Sequence, residues 1–266
     1  MIEPLVSIIL PTYNPKKEWI EASIRSVLDQ KYQNFELLII DDASSNWVLA
    51  TVQALIASDS RISIIRNPKN LHLVQTLNTG ITHANGKYIA RIDHDDIWSD
   101  TLKLQKQVEF MENNSEYWLC GTGLTMMDLE WRLLDRVPVR LTDSEIRQHI
   151  LMDSQFAHPS VLIRRETFDL VWLYDSEWNY AEDYELWLRI GKRYKFANIA
   201  DNCLSYRINP LGISGSKTFH QKWKWFQLTW KYRNDYPRFY LAMLLKIPYL
   251  LLPKKFSLFI LKIIKR

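Results

Sequence analysis

The stretch Tyr88-Ile89-Ala90-Arg91-Ile92-Asp93-His94-Asp95-Asp96 decides how this chain is read. It opens as a largely apolar run and ends in three carboxylates within four residues. A short apolar run without polar alternation fits a strand buried on both faces. The same arrangement recurs toward the N-terminus. Val6–Leu10 is stopped by Pro11 and followed by Thr12-Tyr13-Asn14, Phe35–Ile40 runs into Asp41-Asp42, and Ile62–Ile65 is closed by Asn67-Pro68. Between these runs, Ile20, Ile24, Val27 and Leu28, then Val48, Val52, Leu55 and Ile56, then Val74, Leu77 and Ile81 repeat at helical spacing. The order βαβαβαβ predicts an α/β domain with a mostly parallel central sheet and helices on both faces. Ligands of such sheets collect at the C-terminal strand ends. The polar clusters fall there.

Later segments are less regular. Leu102–Met111 predicts a helix, Trp118–Leu124 a strand, and Val161–Ile163 a short strand. Thr142-x-x-Glu145 is a capping-box pattern that opens a helix to about Leu151. Glu182–Lys192 predicts a helix with Leu186, Trp187 and Ile190 as its apolar positions. No repeat or low-complexity linker interrupts residues 1–218, so they are read as one domain.

Composition excludes several classes. The 266 residues are 47% hydrophobic and 24% charged, which rules out wholesale disorder and a polytopic membrane protein. Cys120 and Cys203 are the only cysteines, too few for a disulfide framework or a multi-cysteine zinc site, and they suit a reducing compartment. Neither G-x-G-x-x-G nor G-x-x-x-x-G-K-[ST] occurs, which argues against a Rossmann dinucleotide site or a P-loop. G-x-S-x-G is also absent, so no nucleophile elbow is expected. Met1-Ile2-Glu3-Pro4 lacks a basic n-region, which predicts a chain that starts in the cytosol.

The charge is divided. Residues 221–266 hold eleven Lys/Arg against one acid, Asp235, a net +10 that leaves −6 for the rest. Phe219, Trp223, Phe226 and Trp230 share one helical face, flanked by Lys222, Lys224, Lys231 and Arg233. Two further apolar runs, Phe239–Leu252 and Phe256–Ile264, fall short of the ~20 residues a span needs. The segment 219–266 reads as a basic amphipathic helical tail lying on an anionic membrane surface. The alternative is a tail packed on the domain or on a second subunit. Long aliphatic runs favour lipid over nucleic acid.

Three carboxylates in Asp93, Asp95 and Asp96 repel one another unless a cation or donors hold them. All-oxygen ligation suits Mg²⁺ or Mn²⁺. The alternative is a solvated acidic turn that caps the next helix. Asp41-Asp42 can accept hydrogen bonds from a nucleobase or ribose, or can cap the helix that follows. Glu182-Asp183 can complement a helix dipole, or can supply a general base. His158 alone is more often structural than catalytic. Tyr206-Arg207 with Ser214 and Ser216 offers a phosphate clamp or an ordinary surface loop.

Taken together, four segments resemble glycosyltransferase family 2. They are VSIILPTYN (6–14), FELLIIDDAS (35–44), RIDHDD (91–96) and EDYELW (182–187), with HPSVLIRRETF (158–168) between the last two. The resemblance covers about 1–216. It implies the GT-A nucleotide-diphospho-sugar transferase fold, with a nucleotide-binding half at about 1–100 and an acceptor half at about 101–218. It further implies an inverting transfer from a nucleotide sugar, by family habit a UDP-sugar, to a hydroxyl of a saccharide or lipid-linked saccharide in surface polysaccharide assembly. Pro11, Thr12, Tyr13, Asp41, Asp42 and Asp93 would serve the nucleotide. Asp95, with Asp93, would hold Mn²⁺ or Mg²⁺. Asp96, Arg207 and Ser214 would face the donor sugar and diphosphate, and Asp183, with Glu182 beside it, would be the catalytic base. Many relatives carry His where this chain has Asn209. With the basic tail, these expectations place the enzyme on the cytoplasmic face of the plasma membrane. Two rivals remain: a non-catalytic nucleotide- or lipid-binding member of the fold, and a metal-dependent nucleotidyltransferase, which would carry a Gly-rich loop after its first strand.

Overall fold

The four apolar runs form the parallel half of a mixed sheet in the computed structural model, which describes residues 3–45, 50, 53–57, 59–210, 212 and 218–251. They are β1 (Val6–Thr12), β2 (Phe35–Asp41), β3 (Ile62–Arg66) and β4 (Tyr88–Arg91). Their order is β3-β2-β1-β4, all parallel. In this register Thr12 lies beside Asp41 and Ile9 beside Arg91. The polar residues after β1, β2 and β4 therefore emerge along one edge of the sheet.

Alternation along each strand explains the continuous apolar runs. Ile8 and Leu10, with Leu37 and Ile39, enter a core completed by Ile20 and Ile24 of α1 (Lys17–Leu28) and by Leu104 and Val108 of α4 (Lys103–Asn113). Ile9, Leu38 and Ile40 point the other way, toward Val74 and Leu77 of α3 (His72–His83). Both faces are covered, so no position needs to be polar. Gly80 lets α3 sit close: a Cβ there would lie 2.6 Å from Ile9 Cγ2. A short helix α2 (Gln53–Ala57) precedes β3. The expected helical stripe from Val48 lies partly outside the described residues.

The sheet then reverses direction. The remaining strands are β5 (Ile97–Trp98), β6 (Tyr117–Met127), β7 (Leu133–Val137), β8 (Leu162–Arg164) and β9 (Lys195–Arg207). Beyond β4 the order is β8-β6-β9-β5, with β7 paired to β6. β8 runs antiparallel to both β4 and β6, whereas the long β6–β9 pairing is parallel. The helices α5 (Asp143–His149), α6 (Thr167–Val171) and α7 (Glu182–Gly191) cover this half. The capping box forms as expected: Thr142 Oγ1 accepts the Glu145 N–H, and the Glu145 carboxylate accepts the Thr142 N–H at 3.1 Å.

The basic tail departs in part from its expected surface role. Its helices α8 (Thr218–Lys231) and α9 (Phe239–Leu251) dock on the domain, with Leu228, Tyr232, Tyr236 and Ala242 joining the core around Trp187. Tyr232 donates to Glu185 Oε1 at 2.8 Å, and Tyr236 donates to the Leu188 carbonyl at 2.7 Å. The docking face of α8 is the one opposite the aromatic stripe. Phe219, Trp223 and Trp230 stay exposed, as do Tyr240, Leu244 and Ile247 of α9. A helix has two usable faces, and the more aromatic one is not the one that folds inward. Among the described residues, no helix is long and apolar enough to cross a membrane. The predicted run Phe256–Ile264 lies outside the described residues.

Candidate active site

The C-terminal ends of β1, β2 and β4 open into a cavity of about 1140 Å³. Pro11, Thr12, Tyr13, Asp42 and Asp93 lie on its wall. Asp42 is aimed by two donors: its Oδ1 accepts from Asn67 Nδ2 and from the Leu71 N–H, each at 2.8 Å. Asp41 is fully buried and is not on the wall. It accepts the Ser44 N–H at 3.0 Å and pairs with Arg66, so it shapes the turn that presents Asp42.

The turn after β4 gathers the first acidic cluster. Carboxylate oxygens of Asp93, Asp95 and Asp96 all lie within 4.8 Å of one another. Burial, reinforced by the Asp93 charge, raises the Asp95 carboxyl above its usual range. Burial together with Asp93 and Asp95 raises Asp96 well above it. Asp96 sits beneath the wall rather than on it, with Oδ1 accepting the Arg207 N–H at 2.9 Å and Oδ2 buried without a partner. Mutually repelling, oxygen-only donors with an orphaned carboxylate oxygen fit a hard divalent cation. His94 also lines the cavity. Asn209 lines it too, and its side chain hydrogen-bonds Asp95.

Arg207 reaches the wall, but its guanidinium is already engaged. It lies between the rings of Trp19 (4.3 Å) and Trp131 (3.9 Å) and donates to the carbonyls of Asp95 (3.0 Å) and Leu129 (3.2 Å). Its visible work is to tie the acidic turn to the β6–β7 hairpin. Ser214 lies outside the described residues.

The second acidic pair, Glu182 and Asp183, opens α7 and faces the same cavity. Burial and the neighbouring Asp183 charge push Glu182 up to about 7. Burial also raises Asp183, opposed by the Tyr184 N–H it accepts at 2.7 Å and by the Arg91 charge.

Arg91 connects the two clusters, and sequence reasoning gave it no role. Buried at the end of β4, it donates from Nε (2.9 Å) and Nη2 (2.6 Å) to Asp93 Oδ1. Its third nitrogen, Nη1, meets His158 Nδ1, which lies 4.0 Å from Asp183 Oδ2. A guanidinium only donates, so His158 Nδ1 must accept and the ring is neutral. Its proton then sits on Nε2 and is donated to the Tyr174 hydroxyl at 2.6 Å. Burial and the Arg91 charge hold His158 well below its usual range, in agreement with that tautomer. His158, Glu182 and Asp183 form a second possible cation cluster, but Arg91 already supplies the positive charge there. The available signal was an arginine inside an otherwise apolar strand, since a buried charge demands partners.

An α/β sheet whose strand ends carry an acidic turn, facing a buried carboxylate pair across one cavity, has the layout of a GT-A glycosyltransferase. The solved structures agree on the fold. The mannosyltransferase PcManGT from Pyrobaculum calidifontis, in complex with GDP-Man and Mn²⁺, superposes with a TM-score of 0.71 at 17% identity, covering 99% of this chain and 74% of that one. Staphylococcus aureus TarS 1-349 with UDP-GlcNAc gives 0.69 at 16% identity, covering 92% and 71%. Residues 7–172 match Glycosyl transferase family 2, and the chain belongs to that family. The Escherichia coli enzyme WfgD, a UDP-Glc:alpha-D-GlcNAc-diphosphoundecaprenol beta-1,3-glucosyltransferase, is 31% identical over 249 residues, 90% of this chain and 91% of its own length. Bacillus subtilis TuaG, named for teichuronic acid biosynthesis, is 30% identical over 228 residues, 84% and 87% of the two chains. The chain is a glycosyltransferase.

Proposed function

We propose that this enzyme transfers a sugar, with inversion, from a UDP-sugar to a hydroxyl of a saccharide or lipid-linked saccharide during assembly of a surface polysaccharide. One observation carries this reading: the acidic turn and the Glu182-Asp183 pair share a single cavity with Arg91 between them. The donor's nucleoside lies against Pro11, Thr12 and Tyr13, with Asp42 accepting from the base and Asp41 holding the turn beneath it. Asp95 and Asp93, backed by Asp96, would hold a divalent cation, Mn²⁺ or Mg²⁺, whose charge would offset the developing charge of the departing diphosphate. Asp183 takes the proton of the acceptor hydroxyl as that oxygen bonds the anomeric carbon. The bond from that carbon to the diphosphate breaks on the opposite face, and its electron pair leaves with the nucleoside diphosphate. Glu182 supports Asp183, and Arg91 keeps Asp93 and Asp183 in register. Proton removal of this kind contributes ~10²–10⁴-fold in rate. The reading agrees with what WfgD and TuaG are named for.

The enzyme works at the cytoplasmic surface of a membrane. The outward aromatic and aliphatic residues of α8 and α9, together with the tail's cations, support contact with an anionic leaflet.

A donor screen tests the catalytic reading. Purified protein is mixed with UDP-, GDP- and dTDP-sugars, with and without Mn²⁺ or Mg²⁺, and released nucleoside diphosphate is measured. Metal-dependent release from a UDP-sugar is expected. No release, together with no thermal shift by UDP and Mn²⁺, overturns the reading.

A further inference from the structure

The cavity exceeds the ~300–1,000 Å³ typical of a pocket for one small ligand. Besides the residues of the donor side and the carboxylate pair, its wall carries Tyr180, Arg140, Asp153, Gln155, Gln221 and Trp225. Two of these come from α8, a helix that no family motif reaches. Gln221 and Trp225 are one turn apart and share a face, while Phe219, Trp223 and Trp230 of the same helix point to solvent. The Trp225 ring is firmly seated. It lies 5.2 Å from the Tyr184 ring of α7, with the Lys246 ammonium of α9 at 5.6 Å. That ammonium also bonds the Trp225 carbonyl and, at 2.7 Å, Thr229 Oγ1. The polar part of the wall is framed as well: Gln155 Oε1 accepts from Arg140 at 3.2 Å, and Asn198 Nδ2 donates to the carbonyls of Arg140 and Gln155. Tyr180, just before the carboxylate pair, holds a left-handed φ of 74°.

We propose that α8 supplies the acceptor platform: a pyranoside rests its C–H face on Trp225, Gln221 and the Arg140–Asp153 side bind its hydroxyls, and Tyr180 bounds it next to Asp183. This rests on the function proposed above. An aromatic ring on a wall that carries two amides, one cation and one anion suits an uncharged polyol ring better than a phosphate or a peptide. Residues of α8, rather than the motif residues, would then select the acceptor sugar.

The probe is a panel of methyl pyranosides (glucose, galactose, mannose, N-acetylglucosamine and N-acetylgalactosamine) read by saturation-transfer NMR on the full chain. It is run with and without UDP and Mn²⁺. At least one pyranoside should bind the unaltered protein through its C–H face. Trp225→Ala should weaken that binding about tenfold, and Gln221→Ala should weaken it less. Trp225→Phe should retain most of it, and Trp172→Ala, exposed and outside the cavity lining, should leave it intact. UDP binding should be equal in all of these variants, which also shows that they are folded. Binding unchanged by Trp225→Ala and Gln221→Ala overturns the platform, as does absence of any pyranoside binding to the unaltered chain. Failure of UDP alone to bind strikes the donor reading instead, and the nucleotide-free arm still decides the platform.

Discussion

At the scale of single residues, the two raised carboxylates make the pH dependence specific. Glu182 titrates at about 7, and Asp183 above its usual value, because burial disfavours their charged forms. A base must be ionised to act, so kcat/KM should rise with pH along an acidic limb displaced above the ordinary carboxylate range. Glu182→Gln removes the neighbouring charge and should move that limb toward lower pH, and an unmoved limb would refute the coupling. Asp183→Asn should cut kcat by ~10²–10⁴-fold while leaving UDP affinity unchanged, measured by single-turnover kinetics and calorimetry. Arg91→Met strands Asp93 without its cation and should cost about 3–5 kcal/mol in urea denaturation. The acidic positions of this site were legible in the sequence because carboxylates crowded at a strand end have few purely structural uses. Arg91, His158 and Tyr174 were not, because their value is relational. Each is ordinary in its own segment, and the three meet only when β4, the turn at His158–Ser160 and the segment before α7 come together.

At the scale of elements, strands β1, β2 and β4 were readable because both of their faces are buried, and the more exposed edge strand β3 because its isoleucines are closed by Asn67-Pro68. β7 was not readable, since Leu133–Val137 is largely exposed and mixes charge with leucine. β9 was missed because the apolar residues of Lys195–Arg207 come in adjacent pairs (Phe196-Ala197, Ile199-Ala200, Cys203-Leu204) rather than alternating, around an exposed middle. The capping box was readable from local chemistry alone. Thr142→Ala should therefore cost ~1 kcal/mol by chemical denaturation, with donor affinity unaltered. Lys246 gives a prediction of opposite sign. Its ammonium is buried on α9 and held down at about 7 by desolvation. The unfolded chain keeps that proton up to the ordinary lysine range, so stability should increase as pH rises from about 7 toward 10.5. Thr229 and Tyr184 each have another acceptor, the carbonyls of Leu151 and Ile150. Lys246→Met should accordingly hold or raise Tm at pH 7, whereas a large fall in Tm would mean that the ammonium is indispensable.

At the scale of the whole molecule, the tail both folds with the domain and presents a separate surface. Deleting it would remove Leu228, Tyr232 and Tyr236 and uncover the core around Trp187, so substitution is the cleaner probe. The full chain should co-sediment with phosphatidylglycerol vesicles, less so at high salt. Trp223→Ala combined with Trp230→Ala and Leu244→Ser should abolish sedimentation without altering donor hydrolysis, and equal sedimentation would reject the membrane reading. The two faces of α8 then set a geometry. A helix thinner than ~12 Å with its side chains separates the outer stripe from the Trp225 wall. With the outer face on the leaflet, Asp183 would stand at a fixed height above the lipid plane, and the helix would act as a ruler. Acceptors would be chosen by how far their head-groups project as well as by sugar identity. A glycan grown past that height would leave reach, which would make this a one-addition enzyme in an assembly line of others.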